Sequence, residues 1–211
     1  MAFSPFTAGL FTAGQILTAA QMNTYIRDNI MAGGPVYATE AARNADIPSP
    51  FEGQRAYITG STETTAAGAI TAIPTGIQTI YNGAGWVTVT PVGGQTVTSG
   101  TTTSTSFTTL TGGGTNPYAE LRTGTTALFS AFAFRQNSGA NTNSFSFSVS
   151  GATTLAAGGT FNSVTTVTGT SGQTGIITGL TAGVNRFTLA YAVSAGTGTY
   201  SDRFITVQGI A

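Results

Sequence analysis

The chain of 211 residues contains no cysteine and no histidine, and its seven basic residues are all arginine because lysine is missing too. Without cysteine there is neither a disulfide framework nor thiol chemistry. Without histidine or cysteine, Ser/His/Asp and Cys/His nucleophilic sites are excluded, as are thiolate zinc sites and histidine-held metals. A phosphate-binding P-loop needs its lysine and is excluded as well. The same absence rules out a Ser or Thr nucleophile activated by lysine, and the Met-Ala start supplies no Ser or Thr amine for that purpose.

Charge is scarce. Only 7% of residues are ionised, against roughly 25% in an ordinary soluble domain. Seven arginines balance seven Asp and Glu, so there is no basic face for nucleic acid or anionic lipid. No apolar run approaches the roughly 18 residues of a membrane span, so membrane insertion is not expected. The first arginine is Arg27; the N-terminus therefore lacks the positive region of a secretion signal, and none is expected.

A carboxylate pair is the one general acid–base option left, as in a glycosidase. Beyond residue 92 the carboxylates are Glu120 and Asp202, and each has an arginine close by in sequence, Arg122 and Arg203. Ion pairing accounts for them. Asp28, Glu40, Asp46, Glu52 and Glu63 are spread out, unlike a calcium loop, which gathers several carboxylates within about a dozen residues. The expectation is a protein that is not an enzyme, with no catalytic residues, no cofactor and no metal.

What is present is the composition of β-sheet: Thr, Val, Ile and aromatics joined by Gly-rich turns. A neutral, charge-poor surface does little to keep copies apart, since net charge near zero promotes association.

Three units follow along the chain. Residues 1–34 begin with Phe3, Phe6, Leu10 and Phe11 among Ser, Pro, Thr and Gly, an extended apolar arm. Thr18-Ala19-Ala20-Gln21 then matches a capping box, and Leu17 and Met22 are placed as a hydrophobic staple. Met22, Ile26 and Ile30 recur at helical spacing before Gly33-Gly34. The pattern predicts a helix of about 13 residues over roughly 19–31, marginal alone in water. Its apolar side, with the arm, is the candidate docking surface for a partner.

Residues 35–92 read as a small β unit. Strands are expected at Gln54–Thr59, Gln78–Tyr81 and Trp86–Thr90, with Asn82-Gly83-Ala84-Gly85 closing the last pair as a hairpin. A helical turn is expected between Ala38 and Ala45, and Trp86, Tyr57 and Tyr81 should supply most of the core.

In residues 93–211, Phe145, Phe147 and Val149 alternate with serines, and Phe187, Leu189, Tyr191 and Val193 alternate with small residues. Both read as half-buried strands. Ala127 to Phe134 is apolar on both faces, a central or interface strand. With strands at Thr96, Phe107 (Ser106–Leu110), Val164/Val167, Ile176/Ile177 and Ile205/Val207, about eight are expected, which suits a jelly roll of two packed sheets. The fold class expected is all-β: a C-terminal jelly-roll-like β-sandwich, preceded by a small β unit and an N-terminal arm with one short helix.

The stretches "SPFTAGLFTAGQILTAAQMNTYIRDNI", "ATEAARNADIPSPFEGQRAYIT" and "IYNGAGWVTV" resemble the N-terminal halves of bacteriophage virion accessory proteins of head-decoration, minor tail and tail-fibre type. The final "LTAGVNRFTLAYAVSAGTGTYSDRFITVQGI" is similar to the last two strands of their jelly-roll tips. The resemblance implies a virion protein assembled in the bacterial host cytoplasm, anchored by residues 1–34 to capsid or tail proteins and displayed as a homotrimer. Three functions stand against one another: a structural decoration or short fibre, a tail-fibre or minor tail tip that binds a host-surface glycan, and the glycosidase case above.

Overall fold

The computed structural model describes residues 34–60, 76–158, 162–164 and 168–211. The expected helix over 19–31 and the arm lie outside them.

The small unit begins with β1 (Val36–Tyr37) and the helix α1 (Glu40–Asp46). Thr39 caps that helix, its hydroxyl oxygen accepting from the Ala42 amide at 3.1 Å. Next come β2 (Arg55–Ile58), β3 (Ile77–Tyr81) and β4 (Trp86–Thr88), in the sheet order β1-β2-β3-β4. The β3–β4 hairpin closes as expected. The Asn82 side-chain oxygen accepts from the Ala84 and Gly85 amides, and Gly83 takes the left-handed φ of 87° that suits glycine. The expected aromatic core is corrected: Tyr57, Tyr81 and Trp86 are only half-buried, whereas Ile58, Ile77 and Val87 are fully buried. Short aliphatic side chains fit under so narrow a sheet. The aromatics lie at its margin, with Arg43 covering the Trp86 ring at 4.4 Å.

The sandwich is built from β5 (Val92–Thr96), β6 (Gly100–Thr102), β7 (Tyr118–Thr123), β8 (Thr126–Asn137), β9 (Asn143–Gly151), β10 (Asn162–Val164), β11 (Thr168–Thr178), β12 (Gly183–Val193) and β13 (Gly198–Gly209). One sheet runs β10-β9-β12-β7, the other β11-β8-β13-β5, with β6 on the end of β13. The first strand of the sandwich, β5, pairs with the last, β13, and from β6 onward successive strands alternate between sheets except at the β9–β10 hairpin. This is jelly-roll order, and the chain is an all-β protein with a C-terminal jelly-roll-like sandwich.

Alternation decides the interior. Phe145, Phe147 and Val149 of β9 and Phe187, Leu189 and Tyr191 of β12 point inward and are buried. Ala127, Phe129, Ala131 and Ala133 of β8 face them from the other sheet, so this strand is central, between β11 and β13. The small sheet is continuous with the sandwich core: Ile58 and Ile77 belong to the same cluster as Leu121, Ala127 and Val207. Gly209 lets the two meet, because a Cβ there would lie 2.5 Å from Val87 Cγ1.

Two local expectations are corrected. No strand forms over Ser106–Leu110; Thr108 makes a single bridge to Tyr191, where β7 ends and the sheet needs a short partner. In β13 the alternation breaks at a bulge between Ser201 and Phe204, with Asp202 at φ 46°. The bulge turns Arg203 inward, keeps Ile205 and Val207 in the core, and sends Phe204 to the outside.

Candidate functional site

The seven residues expected to dock a partner, Phe3, Phe6, Leu10, Phe11, Met22, Ile26 and Ile30, lie outside the described residues. The described chain meets that segment at Gly34, beside Arg55 in the small sheet. The small sheet packs on the pole of the sandwich formed by the β7–β8 turn and the end of β13, where Gly124 lies against Asn82 and Gly209 against Val87. At the other pole are the turns that follow β8 and β12. The 12 residues of β8 separate the poles by about 40 Å.

The two carboxylates do not form a catalytic pair. Glu120 lies on β7 opposite Arg186 of β12, with a charge–charge distance of 3.9 Å, and Asp202 sits on the exposed bulge of the other sheet. The pairing of Asp202 with Arg203 is corrected: the bulge parts them, and Asp202 instead accepts from the Ser201 hydroxyl at 3.1 Å. Arg122 donates through Nε and Nη2 to Glu40 Oε2 at 3.1 and 2.9 Å, tying the sandwich to α1. Among the described residues no group of three or more Asp or Glu is placed to hold a metal.

Beyond the apolar core, toward the far pole, the interior turns polar. Arg203, 0% exposed, donates to Asn116 Oδ1 at 3.2 Å and to the Thr98 carbonyl at 3.0 Å, and also to the Gly113 carbonyl. Arg135 donates to the Asn143 carbonyl at 2.8 Å and to the Ser171 hydroxyl; burial holds its pKa below the usual arginine value. The Tyr200 hydroxyl, between them, donates to the Ala192 and Ser144 carbonyls at 2.6 and 3.0 Å. Burial raises the pKa of Tyr200, and it pushes Tyr191 up to about 12 against the opposing pull of Arg203. Neutral oxygens and ring faces thus hold buried cations in place. This arrangement fixes loops.

Cavities also open among the described residues. One, of about 210 Å³, lies between Trp86, Asn82 and Arg122 where the small sheet meets the sandwich. Another, of about 380 Å³, is lined by Phe129, Phe147, Leu155, Ile176 and Ile177 at the side of the sandwich. Its side chains are apolar apart from Thr178, and a small-ligand site needs several converging polar groups to orient its occupant.

The outer face of the β11-β8-β13-β5 sheet is the remaining feature. Phe132 of β8 stacks on Phe204 of β13 with centroids 5.6 Å apart, and the register puts Phe134, Leu128 and Ile176 on the same face. Leu128 is 38% and Ile176 63% exposed. Sequence reading found half of this surface, in the two-faced apolar run Ala127–Phe134. It missed Phe204 because nothing in the sequence announces the bulge.

No family model matches the chain, and no curated protein matches it. Among solved structures it is similar to the Eiger TNF of S. frugiperda, at 13% identity over 58% of this chain and 93% of that one, with a TM-score of 0.38. It is also similar to a carbohydrate-binding module of the Cellvibrio mixtus lichenase 5A in complex with cellotriose, at 12% identity, 58% and 98% coverage and a TM-score of 0.27. A third match is to modules of a Clostridium thermocellum endo-1,4-β-D-xylanase complexed with xylohexaose, at 19% identity, 46% and 20% coverage and a TM-score of 0.29. The class this fold defines is the jelly-roll β-sandwich, and likenesses this distant carry nothing about function.

Proposed function

We propose that this chain is a non-enzymatic structural protein of a bacteriophage particle, a head decoration or short fibre. It is displayed as a homotrimer and held by its N-terminal arm. The observation that carries the reading is polarity. The described chain begins at Gly34, in the small sheet at one pole, and the sandwich extends about 40 Å beyond it. Because the small sheet shares its core with the sandwich, an arm fixed to a particle would hold the whole domain outward. The resemblance of residues 4–30 and 180–210 to virion proteins points the same way.

Mass spectrometry of purified particles, with heads separated from tails, tests the assignment. The chain should be found in one fraction. Its absence from particles defeats the reading. Replacing Phe3, Phe6 and Phe11 by Ala in the full chain should abolish incorporation while leaving the far-UV circular dichroism of the protein unchanged. Normal incorporation of that variant would move attachment to the β domains. Specific adhesion of the purified protein to host cells, blocked by a surface glycan, would favour the receptor-binding tip instead.

A further inference from the structure

We infer that the outer face of the β11-β8-β13-β5 sheet is the surface through which copies of this chain meet. The inference rests on the oligomeric reading above and names the interface within it.

The strongest reason is an inversion in β13. On a sheet face turned to water, an arginine belongs outside and a phenylalanine inside, because burying a cation costs far more than burying an aromatic ring stabilises by being shielded. Here the bulge does the reverse. Arg203 is completely buried among carbonyl and amide oxygens, and Phe204 is sent outward to stack on Phe132. Phe134, Leu128 and Ile176 extend the patch across β8 and β11. The face thus carries two apolar clusters, Phe132 with Phe134 and Phe204, and Leu128 with Ile176, separated by the row Thr174–Ser130–Thr206; apolar side chains left on one face in this way mark an interaction site.

Charge selects the occupant. Among the outward positions of these four strands the one charged residue is Asp202, at the bulge; between the apolar residues are Ser130, Thr174, Thr206, Gln208 and Gln95. Unlike partners recognise each other through complementary charge. A face with a single charge offers little of such a code, and two copies of it meet with little like-charge repulsion. The whole chain, with zero net charge, adds no long-range barrier.

Area is sufficient. β8, β11 and β13, of 12, 11 and 12 residues, with the shorter β5 beside them, present roughly 600 Å² of sheet from strand rise and spacing. A standard interface takes about 800 Å² per partner, and side-chain relief supplies much of the rest. The other sheet is built differently outside. It carries Glu120, Arg122 and Arg186, and the chain's own loop covers Ser146, whose hydroxyl donates to the Gly158 carbonyl.

The test uses the full chain and light scattering at micromolar concentration. Wild type should run above the monomer mass of 21.3 kDa. Ile176→Lys with Thr174→Lys, both exposed on β11, should shift it to monomer with unchanged circular dichroism. Ser148→Lys with Ser150→Lys, on the outside of the other sheet, should leave the assembly intact. A monomeric wild type overturns the inference, as does dissociation by both pairs, which would be an effect of net charge. If neither pair dissociates the assembly, the inference also falls, while the trimer and its virion role stand with contacts elsewhere. Should the β11 variant misfold, a single cysteine decides: in this cysteine-free chain, Thr206→Cys should react with a maleimide at least tenfold more slowly at high protein concentration than at low. No concentration dependence overturns the inference.

Discussion

The two sheets of the sandwich agree inside and differ outside. Inward, Phe147 and Phe187 of one sheet meet Phe129 of the other, with Phe147 edge-on to both at centroid distances of 5.7 and 4.9 Å. Outward, the β10-β9-β12-β7 sheet carries serines, Thr188 and a cross-strand ion pair, with Arg186 lying 3.5 Å over the Tyr118 ring. The β11-β8-β13-β5 sheet carries stacked phenylalanines and exposed aliphatics, with Asp202 at the bulge as its one charge. The same period of two along a strand therefore records two things. One parity reports the core that both sheets need, and the other reports what each sheet faces.

The comparison is broken most directly from the inside. Phe147→Ala and Phe129→Ala should each destabilise the chain by about 3–5 kcal/mol, since the cavity lies in the shared layer whichever sheet loses the ring. Urea unfolding checks this. If one replacement were nearly neutral, the shared interior would not be continuous.

Gly209→Ala probes the junction with the small sheet. The added Cβ meets Val87 Cγ1 and, at 2.7 Å, the Thr88 carbonyl, so overpacking of about 1–3 kcal/mol is expected. A shift in Trp86 fluorescence should accompany it, because Trp86 adjoins Val87.

A smaller effect comes from pH. Burial raises the folded-state pKa of Tyr191 to about 12 from the ordinary tyrosine value of 10.0. Its contribution to stability is therefore complete below pH 10 and is lost as pH rises toward 12. At pH 11 the loss from Tyr191 is on the order of 1 kcal/mol, read as a lower urea midpoint than at pH 8. Tyr191→Phe should flatten the decline. An unchanged slope in that variant would assign the alkaline loss to other groups, Tyr200 first.

The smallest effects sharpen the contrast between outer faces. Glu120→Gln removes a cross-strand charge near Arg186 at a site open to solvent and should cost about 0–1 kcal/mol, less at high salt. Thr206→Ala on the other sheet should change monomer stability by no more than about 0.5 kcal/mol, with no salt dependence.

The legible elements were those whose apolar residues alternate. The strands around Phe145–Val149 and Phe187–Val193 stand where expected because every second side chain is large and apolar. Asn82–Gly85 announced its turn through residue chemistry alone. β11 was largely illegible: Thr168 to Gln173 holds no apolar residue, and its 11 backbone pairings with β8 hold it in the sheet. β7 was missed because Ala119, Leu121 and Thr123, its inward residues, are interleaved with Glu120 and Arg122, which read as surface. The stretch around Phe107 failed in the opposite sense: β propensity is present, but the sheet offers it only the bridge at Thr108. The candidate docking residues of the arm were legible as an apolar cluster, and Ala127–Phe134 as a strand with two apolar faces.

By itself the sequence determined the residue types this protein lacks, the all-β class, the inner parity of its best strands and the site of its tightest hairpin. These follow from residue type and spacing over a few positions, which local physics reads directly. Tertiary structure decided the rest: the pairing of β5 with β13, the fusion of the small sheet to the sandwich core, the inward turn of Arg203 and the outward turn of Phe204. Each depends on partners far away in the chain, from Thr98 and Asn116 to Phe132. A single extra residue in one strand reverses which face every later side chain takes, and only the packed partner sheet reveals that residue.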